Sequence, residues 1–270
     1  MVSDPHLIER DNNRIPFETL LPAMDRDENT LITSDADSAI DIADLCFSWS
    51  ERDDPVLDIE RLQVSRGERV FVQGPSGSGK STLLSLIAGV VTPQKGSIRI
   101  TGKPIHALSG SDRDRFRADH IGFIYQMFNL IPYLSVVENV TLPCRFSRRR
   151  RARARDRSSN VEEEALRLRG ELGMGDEAVI GKSAIELSVG QQQRVAAARA
   201  LIGTPEIIIA DEPTSSLDAD HREAFIELLF SECDHLDTTM VYVSHDTALE
   251  KNFGRTIRLA DINSLGRGQH

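Results

Sequence analysis

Short apolar runs alternate with longer stretches of helical spacing along most of this chain, and that alternation predicts a layered α/β protein. Ile40–Phe47 alternates apolar and polar positions with the period of a half-buried strand, and Val56–Ile59 repeats the pattern. Arg66-Gly67-Glu68 marks a turn, after which Arg69–Gln73 is a short apolar strand that runs into glycines. Ser81–Val90 carries Leu83, Leu84 and Ile87 at helical spacing, with Gly89 near its end. Gly96–Ile100 and Ile121–Tyr125 read as further strands, and residues 134–200 read as mostly helical. Ile207–Ala210 and Met240–Val243 are unbroken apolar runs, the mark of strands covered on both faces in a parallel sheet. No segment repeats another.

Residues 1–38 lack this texture. The first 44 residues hold 11 acids against three arginines, which is −8 of the chain's net charge of −10. The stretch reads as a mobile acidic extension, either a solvated leader or an arm that docks on a partner. The domain proper is expected over 39–265, with a short tail at 266–270.

At 270 residues, 40% hydrophobic and 27% charged, the chain is long enough for one large domain or two small ones and is globular in composition. The acidic balance argues against a general nucleic-acid coat, and no specific nucleic-acid partner is expected. No apolar run approaches the ~18 residues of a membrane span. No basic and then apolar leader marks a secretory signal. Cys46, Cys144 and Cys233 form no CxxC pair, so neither a zinc site nor a disulfide framework is expected. The expectation is a soluble, cytosolic chain that reaches a membrane only by docking on something that spans one.

Gly74-Pro75-Ser76-Gly77-Ser78-Gly79-Lys80-Ser81, followed by Thr82, fits G-x-x-x-x-G-K-[ST] at every fixed position. Glycines let the backbone bend around a phosphate and turn its N–H groups inward, and the positive end of the following helix adds to the attraction. Lys80 supplies a point charge for the β- and γ-phosphates, and the Ser81 hydroxyl suits Mg²⁺. Ile207–Ala210 then ends in Asp211 and Glu212. Ligands of parallel α/β sheets bind beyond the carboxyl ends of the strands. Asp211 is therefore a candidate Mg²⁺ ligand beside the glycine loop, and Glu212 a candidate general base for water. Together these segments point to an ATPase.

Two further segments narrow the class. Leu187-Ser188-Val189-Gly190-Gln191-Gln192-Gln193-Arg194 resembles the signature motif of ABC-type ATPases, and it lies ahead of Asp211 as it does there. Asp211-Glu212-Pro213-Thr214-Ser215-Ser216-Leu217-Asp218 resembles their Walker B motif and D-loop. Gln126 matches the Q-loop glutamine and His245 the switch histidine. Trp49 stands where the family stacks an aromatic ring on adenine. The resemblance covers about 39–265. From Phe123 to Pro132 and on through Glu138-Asn139-Val140 it is most like the lipoprotein-release and macrolide-export branch.

The resemblance implies a P-loop NTPase (RecA-like) core with an antiparallel β subdomain and an inserted α-helical subdomain at about 127–200. It implies two ATPs held between two head-to-tail chains, in a homodimer or a dimer with a paralogous ATPase. Ser188, Gly190 and Gln191 would reach the nucleotide held by the partner's glycine loop. Gln126 would meet Mg²⁺ and the attacking water, and it would link the site to an integral membrane permease. His245 would hold the γ-phosphate and keep Glu212 aligned. The chain would be peripheral on the cytoplasmic face of the inner or plasma membrane. It would power transport or, alternatively, gate a membrane partner without moving a substrate. Val189 departs from the family's glycine. A β-branched residue disfavours positive φ, so this position bears on dimer closure.

Residues 145–157 hold eight arginines and one acid, Asp156. The run suits a solvated or intramolecular face first, contact with anionic lipid second and nucleic acid third.

Overall fold

The computed structural model describes residues 37–50, 52–176, 179–215, 217 and 219–265. All but the last two residues of the acidic extension, and the whole 266–270 tail, lie outside them.

β1 (Ser38–Phe47) and β2 (Leu57–Ser65) pair antiparallel, with Phe47 opposite Leu57 across the connecting loop. β3 (Arg69–Gln73) feeds α1 (Lys80–Ile87), and the chain returns through β4 (Lys95–Ile100) and the two-residue β5 (Lys103–Pro104). These strands, β3 apart, form an antiparallel sheet in the order β2-β1-β4-β5. α2 (Gly110–His120) leads into β6 (Ile121–Ile124). Helices α3 (Val136–Thr141), α4 (Pro143–Phe146), α5 (Arg148–Arg157), α6 (Val161–Glu171) and α7 (Val189–Leu201) follow, in keeping with the mostly helical pattern over 134–200. β7 (Ile207–Asp211), α8 (Ala219–Leu236), β8 (Thr239–Val243), β9 (Arg255–Arg258) and α9 (Leu259–Ile262) complete the described chain.

The second sheet is parallel throughout, in the order β6-β7-β8-β3-β9. Because its strands all run the same way, the loops after β3, β6, β7 and β8 leave from one edge. Both faces are covered, which explains the unbroken apolar runs. Alternate residues enter two separate cores. Phe71, Ile208, Ala210, Met240 and Tyr242 pack with the helical layer of α3, α5, α6, α7 and α8. Val70, Val72, Ile207, Ile209, Val241 and Val243 pack with α1 and the antiparallel sheet.

α7 lies directly on β6. A Cβ on Gly122 would sit 2.3 Å from the Ala200 carbonyl, so only glycine admits this approach. The far end of α7 is capped by the arginine run. Arg150 is buried, and its guanidinium donates to Ile202 O at 2.7 Å, Ala200 O at 2.6 Å and Arg199 O at 3.2 Å. Burial lowers its pKa to about 10. Arg151 donates to Cys144 O, Arg149 and Arg153 bind Glu206, and Arg157 pairs with Glu164. Of the eight arginines, these five are thus used within the chain. The run is mainly internal fastening, and nothing in the structure supports contact with lipid.

Candidate functional site

The glycine loop joins β3 to α1. Gly79 caps the helix with φ 101, and a Cβ there would meet Leu57 Cδ2 at 2.8 Å, so the sharp entry into α1 requires glycine. Lys80 opens the helix, and its ammonium donates to the Gly74 and Pro75 carbonyls at 2.6 and 2.9 Å. The Ser78 hydroxyl is buried behind the loop.

A cleft of about 500 Å³ opens in front of this loop. It is lined by Trp49, Ser76, Gly77, Gly79, Lys80, Ser81, Thr82, Gln126, Asp211 and Glu212. Sequence elements separated by more than 160 residues therefore meet at one mouth, at the carboxyl ends of β3, β6 and β7. Trp49 is 59% exposed and braced edge-on by Phe47, with ring centroids 5.2 Å apart. Its ring is thus available to a planar ligand. Gly74 and Pro75 lie behind the cleft, where they line a smaller hollow with His245.

Asp211 is the last residue of β7. Burial raises its pKa above the usual carboxylate value, Glu212 adds to the rise, and Lys80 opposes it. Two adjacent carboxylates, one of them half desolvated, fit a divalent cation in the cleft.

Glu212 adopts φ 48, an uncommon left-handed conformation for a non-glycine residue that costs on the order of 1–3 kcal/mol. Several bonds hold it there. Its N–H donates to Val243 O at 2.9 Å. Its Oε2 accepts from the Ser244 hydroxyl at 3.3 Å and lies 2.8 Å from His245 Nδ1. The turn beyond is fixed by a Thr214–Tyr242 hydroxyl contact at 2.8 Å and by Gln193 Nε2, which donates to Pro213 O at 2.7 Å. Arg222 of α8 bonds both Asp246 and the Leu217 carbonyl. Gln193, Tyr242, Ser244 and Arg222 are supporting residues that no spacing rule singles out. Each acts through a contact between elements distant in sequence.

Ser188, Gly190 and Gln191 do not line this cleft. They stand at the start of α7, where the Ser188 hydroxyl accepts from Gln191 N–H at 3.3 Å and Gln191 Oε1 accepts from Ser188 N–H at 3.0 Å. This reciprocal cap sets the helix start. Neither Val189 nor Gly190 has positive φ, and a Cβ on Gly190 would meet nothing within 4 Å. The backbone conflict expected at Val189 is therefore absent. Val189 is the first helical residue and stands 48% exposed.

The chain matches the family model described as "ABC transporter" over residues 57–215. It is 38% identical to an uncharacterized ABC transporter ATP-binding protein of Escherichia coli K12, YbbA, over 76% of this chain and 86% of that one. It is 35% identical to the lipoprotein-releasing system ATP-binding protein LolD of Syntrophotalea carbinolica, over 84% and 97%. Among solved structures, a dimeric post-hydrolysis state of the ATP-binding cassette MJ0796 with ADP and Pi superposes with a TM-score of 0.67 at 35% identity, over 81% of this chain and 93% of that one. With the glycine loop, the paired carboxylates and the signature helix in this order on this sheet, the chain belongs to the ABC transporter family as one of its ATP-binding cassettes.

Proposed function

We propose that this chain binds and hydrolyses ATP to drive a separate membrane-spanning permease, as one half of a dimer with a second copy or a paralogous ATPase. The observation that carries the hydrolytic part is the Glu212–His245 contact of 2.8 Å at the edge of a cleft that also holds Lys80. Trp49 stacks on the adenine ring. The N–H groups from Ser76 to Thr82 and the Lys80 ammonium bind the phosphates. For this, Lys80 leaves the Gly74 and Pro75 carbonyls for phosphate oxygens. Ser81, Asp211 and Gln126 would hold Mg²⁺, which neutralises phosphate charge when bound. Glu212 takes the proton of the attacking water, and His245 keeps that carboxylate oriented toward the γ-phosphate. The raised backbone energy of Glu212 suits a side chain aimed by its surroundings rather than by local preference.

Ser188, Gly190 and Gln191 serve the partner's nucleotide, which accounts for their distance from the chain's own cleft. Among the described residues no helix is long and apolar enough to cross a membrane. The span belongs to the permease in this reading, and the chain works beside it at the cytoplasmic face, where ATP is supplied. The loop after Gln126 supports a docking role there, because Met127 and Tyr133 expose large apolar side chains.

Glu212→Gln tests the assignment. The variant keeps the shape of the site but cannot take a proton, so it should bind MgATP normally, accumulate as a dimer on gel filtration and hydrolyse about 1,000-fold more slowly. Hydrolysis at the wild-type rate would show that Glu212 is not the base.

A further inference from the structure

Two consecutive residues of the turn after Gln126, Phe128 and Asn129, adopt left-handed backbone, with φ 59 and 48. Neither is glycine, and such a pair persists only where the surroundings impose it. On the donor side the turn closes on itself. Phe128 N–H donates to Tyr125 O at 2.9 Å, and Asn129 N–H to Met127 O at 2.6 Å. On the acceptor side one distant side chain serves both residues. Arg199 of α7 donates from Nη2 to Phe128 O at 2.5 Å and from Nη1 to Asn129 O at 2.7 Å. A planar guanidinium spans two carbonyls in this way, whereas an ammonium presents a single point of charge. Burial lowers the Arg199 pKa, with the nearby Tyr125 opposing the shift. The group is held in partial desolvation for these two bonds.

α7 connects more than this turn. Its N-cap is Ser188, its middle holds the Pro213 carbonyl through Gln193, and its last turn is fixed by Arg150. Three parts of the machinery are fastened to one helix.

We propose that Arg199 is a positioning residue of the ATPase cycle, locking the turn that carries Gln126 onto α7 so that Gln126 and Ser188 move as one body. The proposal rests on the roles given above to those two residues. Its consequence is communication between the two nucleotide sites of a dimer. Seating Ser188 against the partner's nucleotide sets the position of Gln126 in the chain's own cleft.

The test combines hydrogen exchange over residues 125–131 with steady-state hydrolysis by the full chain, in the wild type, Arg199→Ala, Arg199→Lys and Gln126→Ala. In Arg199→Ala, exchange over 125–131 should rise about tenfold while α7 keeps its protection. In the same variant kcat should fall about 100-fold, with KM for MgATP within about twofold. Arg199→Lys should recover part of both. Wild-type exchange over 125–131 in Arg199→Ala overturns the proposal. Protection lost evenly along α7 also overturns it, since Arg199 would then be a packing residue. Should Arg199→Ala fail to fold, Arg199→Lys decides: wild-type exchange and kcat in that variant overturn the clamp. Gln126→Ala separates the two ideas. If it hydrolyses at the wild-type rate while Arg199→Ala loosens the turn, the role of Gln126 fails and the clamp stands.

Discussion

Lys80 shows how one residue balances two sets of partners. Its ammonium bonds two carbonyls of the glycine loop, so in the phosphate-binding role we propose for it, phosphate must outcompete ligands the chain itself supplies. A triphosphate does so through charge, which neutral carbonyls lack. Lys80→Ala removes the one cation in the loop and should weaken MgATP affinity about 100-fold, with little change in thermal stability, as read by titration calorimetry beside a melting curve. Unchanged affinity would disprove the cradle. Lys80, Asp211 and Glu212 are legible from the chain alone, because their chemistry demands fixed neighbours in sequence. Gln193, Arg199 and Arg222 are not. Each bonds backbone atoms between 5 and 71 residues away, and backbone carbonyls leave no mark on residue type.

Among elements, the pairing of α7 with β6 leaves little tolerance. Gly122→Ala places a methyl group against the Ala200 carbonyl, which is itself held by Arg150 and cannot yield freely. Such overpacking costs typically about 1–3 kcal/mol, and a drop of several degrees in melting temperature is expected. A melting temperature equal to the wild type would mean that α7 has room to move. The buried strands β3, β7 and β8 are plain in sequence, since continuous apolar runs of this length have few other uses. α2 is not, because ten of its eleven residues stay outside the core and only Phe116 is buried, so no stripe forms. α8 buries Phe225, Ile226, Leu229 and Cys233 along one stripe, although no element is predicted there from sequence. β9 buries a single residue, Ile257, too little for a period.

At the scale of the molecule, Glu206 gathers His120 at the end of α2 and Arg149 and Arg153 of α5 at the entry to β7. Burial raises its pKa, but the hydrogen bonds from His120 and Arg149 and the charges of His120 and Arg153 outweigh that and hold it at about 2. A depressed carboxylate contributes stability above its ordinary pKa of roughly 4.3, and that contribution fades as pH falls toward the folded value. Urea midpoints should therefore fall more steeply between about pH 4.5 and 2 in the wild type than in Glu206→Gln. Parallel curves would show that the cluster adds nothing. The fold class and the order of motifs are legible in the chain because β3, β6, β7 and β8 each lead into a distinctive polar segment. The sharing of the site between two copies that we propose cannot be derived from the spacing of residues and enters only through the family resemblance, since one sequence displays Ser188 without what it faces. The two cores impose a last constraint. Neighbouring residues of β7 point to opposite sides of the sheet, and the strand ends at Asp211. Inserting a single amino acid within β7 would turn the strand's remaining side chains toward the wrong interior and displace the acidic pair by one step. Along this strand a lesion in folding is also a lesion in chemistry, whereas a residue added in the loop beyond would leave both cores in register.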